Sequence, residues 1–335
     1  MNDDTGQFSD ALRDLLADHC TPHHVREIEA GKSPRALWDA LESSGFADAL
    51  LPEDEGGAAL TLADAFALFE LCGSFALPVP LAETMVARAL LVTADVAPPP
   101  GSIALAHLRP QSDGGAVCER LACGRTADWV LALHGEGSVL LPTDAATKSG
   151  AVFVLDATLV WSESARTGAQ AVPITFDLRL HQACLAAAQL SGALMAVFDR
   201  TLQYANDRNQ FGRPIGKFQA IQHQLAVISE HVFAARMAAQ IGCRASGLLP
   251  DRLRVAVAKA RTGEAALEVA SLSHSIHGAI GFTEEFDLQL FTRRLHAWRQ
   301  TGGSESHWQD VLGEALLGAR DSLALDLIRT TTDVA

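Results

Sequence analysis

NDRNQFGRPIGKFQAIQHQLA, residues 206–226, is the stretch on which the reading of this chain turns. It gathers Arg208, Arg213 and Lys217 around a Phe-Gly-x-Pro-x-Gly turn, in a protein whose formal net charge is −14. Downstream, Phe218, Ile221, Leu225, Ile228 and Val232 recur at intervals of 3, 4, 3 and 4, a seam suited to a helix packing on another helix. Upstream, CLAAAQLSGALMAVF (184–198) is apolar but broken by Gln189 and Ser191. That run is shorter than the roughly 20 residues that span a bilayer, and reads as a helix buried on most sides. A cationic turn between two long helices, in an acidic chain, points to a bound anion.

Composition sets the frame. The 335 residues suffice for two or three packed units, and 48% hydrophobic with 20% charged residues describes a soluble globular chain. The negative balance argues against nucleic acid or an anionic membrane as the main partner. The N-terminus, MNDDTGQFSD, is acidic and lacks an apolar h-region, so no secretory signal is expected. Six cysteines without a C-x-x-C pair fit reduced thiols in a cytoplasm.

Three textures follow one another. Residues 1–97 read as helical. Ser33-Pro34 is a start signal with Gly45 as its stop, Thr61 and Asp64 form an approximate capping box with Gly73 as its end, and LLPEDEGG is a turn between them. Residues 98–177, after VAPPPG, hold the short apolar runs SIALAHL, DWVLAL, SVLL, AVFVL, TLVW and AVPITF. That is a small β domain with a hairpin at DWVLAL-HGEG-SVLL. Residues 178–335 return to long helices resembling a four-helix bundle.

This order, with the opening stretch joining the first two helices of the last domain, resembles the acyl-CoA dehydrogenase family. LLPEDEGGAAL is similar to the family's Pro-Glu-x-x-Gly-Gly turn. YANDRNQFGRPIGKFQAIQHQLA resembles its Arg-x-x-Phe-Gly segment, and SIHGAIGFTEEFDLQLFTRR (275–294) its second flavin-contacting turn. The resemblance implies a mostly α fold with a small middle β domain. It also implies that Arg208, Gln210, Phe211, Gln219, Gly278 and Ala279 touch an FAD held mainly by a neighbouring chain. Physically, a guanidinium suits the pyrophosphate. Gly212 and Gly216 allow close backbone approach, and the following helix N-terminus favours negative charge.

The family's reaction needs a carboxylate general base over the α carbon of a CoA thioester, and this sequence departs from the pattern there. Where the family carries the Glu of Tyr-Glu-Gly-Thr, RQTGGSESHW places Gly302. Where some members carry it at the start of the first long helix, this chain has Gln182, then Ala183 in place of Arg. No Thr-Glu-Pro-x-x-Gly-Ser-Asp segment lies in the shortened β domain, and Ser275 and Ala279 replace the usual Gln and Gly of the second turn. Glu305 is a weak substitute base. Glu284 and Glu285 complement a helix dipole. His274 and His277 lie one helical turn apart but lack a third metal ligand. Arg293, Arg294, Trp298 and Trp308 fit subunit-interface packing better than substrate contact.

The expectation is therefore a subunit of a heteromeric acyl-CoA dehydrogenase that α,β-desaturates a bulky, steroid-type CoA thioester. It would act in a heterotetramer, in the cytoplasm, with no catalytic residue or metal site of its own. FAD would be shared with a sister subunit that also binds most of the acyl-CoA. The alternatives are a self-sufficient homo-oligomer with a relocated base and an inactive scaffold of the same fold.

Overall fold

The computed structural model describes residues 3–135, 137–318 and 323–333, with side chains from residue 6 onward. Five helices open the chain: α1 (Asp3–His19), α2 (Pro22–Glu29), α3 (Arg35–Ser43), α4 (Phe66–Ser74) and α5 (Leu81–Thr93). Strands follow as β1 (Ile103–His107), β2 (Arg109–Pro110), β3 (Ala116–Leu121), β4 (Trp129–His134), β5 (Gly137–Pro142), β6 (Ala146–Gly150) and β7 (Ala157–Trp161). After a short α6 (Glu163–Thr167) comes β8 (Gln170–Val172). The rest is α7 (Leu178–Asp207), the two-residue strands β9 (Asn209–Gln210) and β10 (Arg213–Pro214), then α8 (Gln219–Gly242) and α9 (Arg252–His277). It closes with α10 (Leu288–Gln300), α11 (Glu305–Gly318) and α12 (Ala324–Thr332). The chain divides into two compact units, one of residues 1–68, 77–182 and 246–248, the other of 69–76, 183–245 and 249–335.

In the first unit two four-stranded sheets, ordered β1-β4-β5-β8 and β2-β3-β7-β6, enclose a core that includes Val130, Leu141, Leu159 and Trp161. The hairpin expected at DWVLAL-HGEG-SVLL is present as β4 and β5, with Trp129 opposite Pro142. AVFVL is not a strand. Ala151 N–H donates to Asp156 and Asp156 N–H to Phe153, so the run folds into the turn between β6 and β7, and Val152 is 88% exposed. β1 lies at an edge, and side chains rather than a further strand satisfy its outer backbone groups. Thr84 Oγ1 accepts from Ile103 N–H at 2.9 Å, Glu83 Oε2 accepts from Leu105 N–H at 2.8 Å, and Gln182 Nε2 donates to the Leu105 carbonyl at 3.0 Å. A bare edge would be a template for unwanted pairing.

Near the N-terminus, Ser33 Oγ accepts from Arg35 N–H and α3 begins after Pro34, one residue later than the start signal suggested. Thr61 and Asp64 form the reciprocal pair of a capping box. Gly73 falls one residue before the end of α4 at Ser74, within a residue of the stop it was expected to mark, and it is also a packing residue.

In the second unit, a Cβ on Gly73 would stand 1.8 Å from the Gln189 carbonyl oxygen, and one on Gly192 1.8 Å from that of Glu70. α4 and α7 therefore cross backbone to backbone, a contact only glycine permits. Arg236 clasps Glu70 beside the crossing, at 2.7 and 3.0 Å. On α8 the seam residues Leu225, Ile228 and Val232 are buried, as is Gly242, whose Cβ would press on Ala258 of α9. Among the described residues α7 is long and apolar enough to cross a membrane, yet 83% of its apolar window is buried inside the protein, as in a core helix. Arg294, Trp298 and Trp308 are buried within the chain itself, so interface packing is not their role. Glu284 and Glu285 precede α10 in an exposed turn rather than opening a helix.

Candidate functional site

The opening stretch folds as a tight hairpin. Gln210 pairs with Arg213 and Asn209 with Pro214 across a two-residue turn, Phe211-Gly212, whose φ angles are +53° and +79°. Two left-handed residues match the twist of a short hairpin, but for phenylalanine this conformation is strained. The strained side chain is also 92% exposed. Arg213 lies over the Phe218 ring at 4.2 Å. Gly216 serves the fold rather than a ligand, since a Cβ there would crowd the Ala205 carbonyl at 3.0 Å.

Beside this hairpin lies a cleft of about 370 Å³ lined by Tyr204, Arg208, Gln210, Phe211, Ile215, Phe218, Ile221 and residues Ser275 to Gly278. The two segments singled out in the sequence thus meet at one place. Of the six expected cofactor residues, Arg208, Gln210, Phe211 and Gly278 line the cleft. Gln219 opens α8 and Ala279 sits in the turn after α9, and neither lines it. The walls are aromatic and aliphatic, and Arg208 supplies the cation. Its guanidinium makes no hydrogen bond or ion pair with any described residue, so its charge is free for an anion. A flat, anionic ligand such as the adenosine diphosphate half of a flavin dinucleotide fits this donor set.

His277 belongs to the same wall, although only Gly278 and Ala279 of its segment were expected to touch the cofactor. Its Nδ1 contacts the Ser273 carbonyl at 2.7 Å, its ring stacks on Tyr204 at 4.3 Å, and Phe286 leans on it at 4.8 Å. Burial, with His274 nearby, holds it below the ordinary histidine pKa despite the bond to Ser273. His274 instead faces Thr292 at 3.0 Å and stacks on Phe282.

At the positions where relatives would carry a base, Gly302 has φ +69°, and a Cβ on it would stand 2.5 Å from Ala183 N and 2.8 Å from Ala183 Cα. The start of α7 fills the space a side chain would need. Gln182, in the first unit, is committed to the edge of β1. Behind the 302 turn, fully buried Lys259 donates to the carbonyls of Arg299 at 2.7 Å and Gly303 at 2.8 Å. Burial pushes the Lys259 amine down to about 7, with Glu305 opposing that shift and Arg299 reinforcing it. The only sequence signal for this pin was a lone lysine inside the small-residue run AVAKA. Glu305 is ion-paired with Arg299. Desolvation pushes its carboxyl up, but the Arg299 hydrogen bond and the charges of Arg299 and Lys259 outweigh it and hold the group below the usual carboxylate range.

Comparison with known proteins places the chain. Residues 178–317 match the model of the acyl-CoA dehydrogenase C-terminal domain, and residues 2–94 that of the N-terminal domain. The protein belongs to the acyl-CoA dehydrogenase family, oxidoreductases acting on the CH–CH bond of acyl-CoA thioesters. It is 31% identical over 310 residues to acyl-CoA dehydrogenase IpdE2 of Mycolicibacterium smegmatis, covering 90% of this chain and 96% of the relative. The Mycobacterium tuberculosis protein of the same name is 31% identical over 299 residues, covering 87% and 90%. Among solved structures, the ChsE4-ChsE5 complex from Mycobacterium tuberculosis superposes with a TM-score of 0.79 at 18% identity, covering 97% of this chain and 99% of that one. The Tcur3481-Tcur3483 steroid ACAD does so with 0.76 at 23%, covering 95% and 99%. At these identities the structures establish the fold.

Proposed function

We propose that this chain is the partner subunit of a heteromeric, flavin-dependent acyl-CoA dehydrogenase. It lends the 208–211 hairpin and the 275–278 turn to an FAD bound mainly by a sister chain. One contrast carries this reading: the cleft that would receive a neighbour's cofactor is open and cationic, while the place for a base is closed by Ala183. Glu305 makes a poor relocated base, because a carboxylate held low and tied to Arg299 has little pull on a thioester α proton. FAD, when bound, supplies the hydride acceptor. This chain's residues would hold the pyrophosphate (Arg208) and wall in the adenosine (Phe211, Phe218, Ile276), while the sister chain holds the acyl-CoA and removes the proton. The two-protein neighbours ChsE4-ChsE5 and Tcur3481-Tcur3483, the second named as a steroid ACAD, support a heteromer acting on a bulky CoA thioester.

Purified alone, the chain should be colourless and inert toward CoA thioesters. Co-expressed with its sister acyl-CoA dehydrogenase chain, it should co-purify with flavin absorbance and with activity in an artificial-acceptor assay. A yellow, active preparation of the single chain would overturn the reading and favour the self-sufficient alternative.

A further inference from the structure

Cys184, in the second turn of α7, and Cys243, the residue that caps α8, meet in the second unit with their sulfurs 3.7 Å apart. Both are free thiols, and both are buried. Cys184 S–H donates to the Gly242 carbonyl at 3.6 Å, which leaves Cys243 as the donor between the two sulfurs. Buried cysteines commonly act as small apolar side chains and nothing more. Here the sulfurs touch across two different helices. Closing the gap to a disulfide length of about 2.05 Å asks for roughly 1.7 Å of approach, which modest χ1 turns supply. Cys243 also stands at a helix end, where its N–H makes the closing bonds of α8 to the Ala239 and Ile241 carbonyls. Helix ends are among the first parts of a fold to open.

We propose that Cys184 and Cys243 form an oxidisable dithiol, a modification site that hydrogen peroxide converts to a disulfide. One thiol takes an oxygen from peroxide as the O–O bond breaks, giving a sulfenic acid, and its proton leaves with the other oxygen as water. The second sulfur then attacks the first. The S–S bond forms, and the sulfenic oxygen departs as water with the second thiol's proton, so two electrons have passed to the peroxide. The hydrogen bond with Cys184 and burial push the Cys243 thiol well up, with Glu70 adding to the rise. The resting pair is therefore slow to react, and the first step waits on fraying at the end of α8. The second step is fast, because the resolving sulfur is already in contact and captures the sulfenic acid before more peroxide carries it to sulfinic acid. The two cysteines are 59 residues apart, so the link makes one covalent ring of α7, the cationic hairpin and α8. This inference is independent of the flavin reading.

The test exposes the purified chain to hydrogen peroxide, alkylates it in denaturant and maps the peptides without reduction. The expected product is a joined peptide carrying Cys184 and Cys243, lighter by two hydrogens than its parts and separated again by a thiol reductant. The oxidised protein should melt higher by roughly 5–10 °C, the usual effect of closing a loop of this size. In Cys184→Ala or Cys243→Ala the remaining sulfur has no resolving partner, so dimedone, which traps sulfenic acid, should label it. Both thiols alkylated after peroxide, or either one found as sulfinic acid in the unaltered chain, would overturn the assignment. So would a link that forms without raising the melting temperature, or the absence of dimedone label from both variants. Should the alanine variants misfold, the peptide map and melting temperature of the unaltered chain decide the matter alone.

Discussion

At position 302 a glycine meets two demands that no other residue meets together. It adopts φ +69°, and it lets Ala183 approach to where a side chain would begin. The clash starts at Cβ, so Gly302→Ala should already show most of the damage, with a fall in unfolding free energy of about 3 kcal/mol read from urea denaturation. Gly302→Glu should be no better folded and should gain no thioester oxidation. A Gly302→Ala variant as stable as the parent would mean that the start of α7 yields easily. The sequence made the missing carboxylate visible, because an absent residue type can be read by position. It could not show that the gap had been closed, since Gly302 and Ala183 lie far apart in the chain. Likewise Phe211 was legible as a turn residue, whereas the hairpin, the strain and the exposure it carries depend on backbone angles that no spacing encodes.

Among the elements, β1 shows how a helix can stand in for a strand. Glu83 lies in the first turn of α5, where a carboxylate would complement the helix dipole, but its carboxyl is spent on the Leu105 N–H. Burial pushes that carboxyl from an ordinary value of 4.5 up to about 7, with Asp156 adding to the rise and the bond to Leu105 opposing it. A group whose folded pKa is raised contributes stability that is whole below about 4.5 and lost as pH climbs through about 7. Thermal melts from pH 5 to pH 8 should therefore show the protein weakening by an amount on the order of 3 kcal/mol. Glu83→Gln keeps an acceptor for Leu105 N–H and removes the titration, so its profile over that range should be flatter. Parallel profiles for parent and variant would place the proton elsewhere. The strand itself was evident in SIALAHL. Its edge was not, because what covers it comes from residues 83, 84 and 182, brought together only by folding. AVFVL failed in the opposite sense: a local apolar pattern gave way to the need for a turn between two paired strands.

For the molecule as a whole, helices, a β unit and long helices in that order were readable from texture, and the family from three motifs in the right sequence. Their meeting in one cleft could not be read, nor could the fact that Gln219 and Ala279 stand outside its lining. Arg208 carries a prediction that separates folding from assembly. Its guanidinium makes no bond to any described residue of this chain, so Arg208→Ala should leave the melting temperature of the isolated protein unchanged. In the co-expressed complex the same change should lower flavin retention more than tenfold, the usual consequence of losing a charge-assisted bidentate contact. Unaltered flavin content, measured by absorbance per mole of heteromer, would reduce the hairpin to a connecting turn.

The glycine crossing of α4 and α7 can finally be regarded as a fulcrum. Gly192 and Gly73 press main chain on main chain with no compressible side chain between them, so the joint has no play. Arg208 sits sixteen residues farther along the same rod, an arm of about 24 Å at the helical rise. At that reach a tilt of one degree at the fulcrum displaces the guanidinium's anchor by roughly 0.4 Å. A one-residue insertion in the arm would swing it about 100° around the axis, out of the cleft altogether. The length of α7 from its glycine joint to its end at Asp207, just before Arg208, is therefore a gauge, and this stretch should tolerate substitution on its surface far better than any change in the number of its residues.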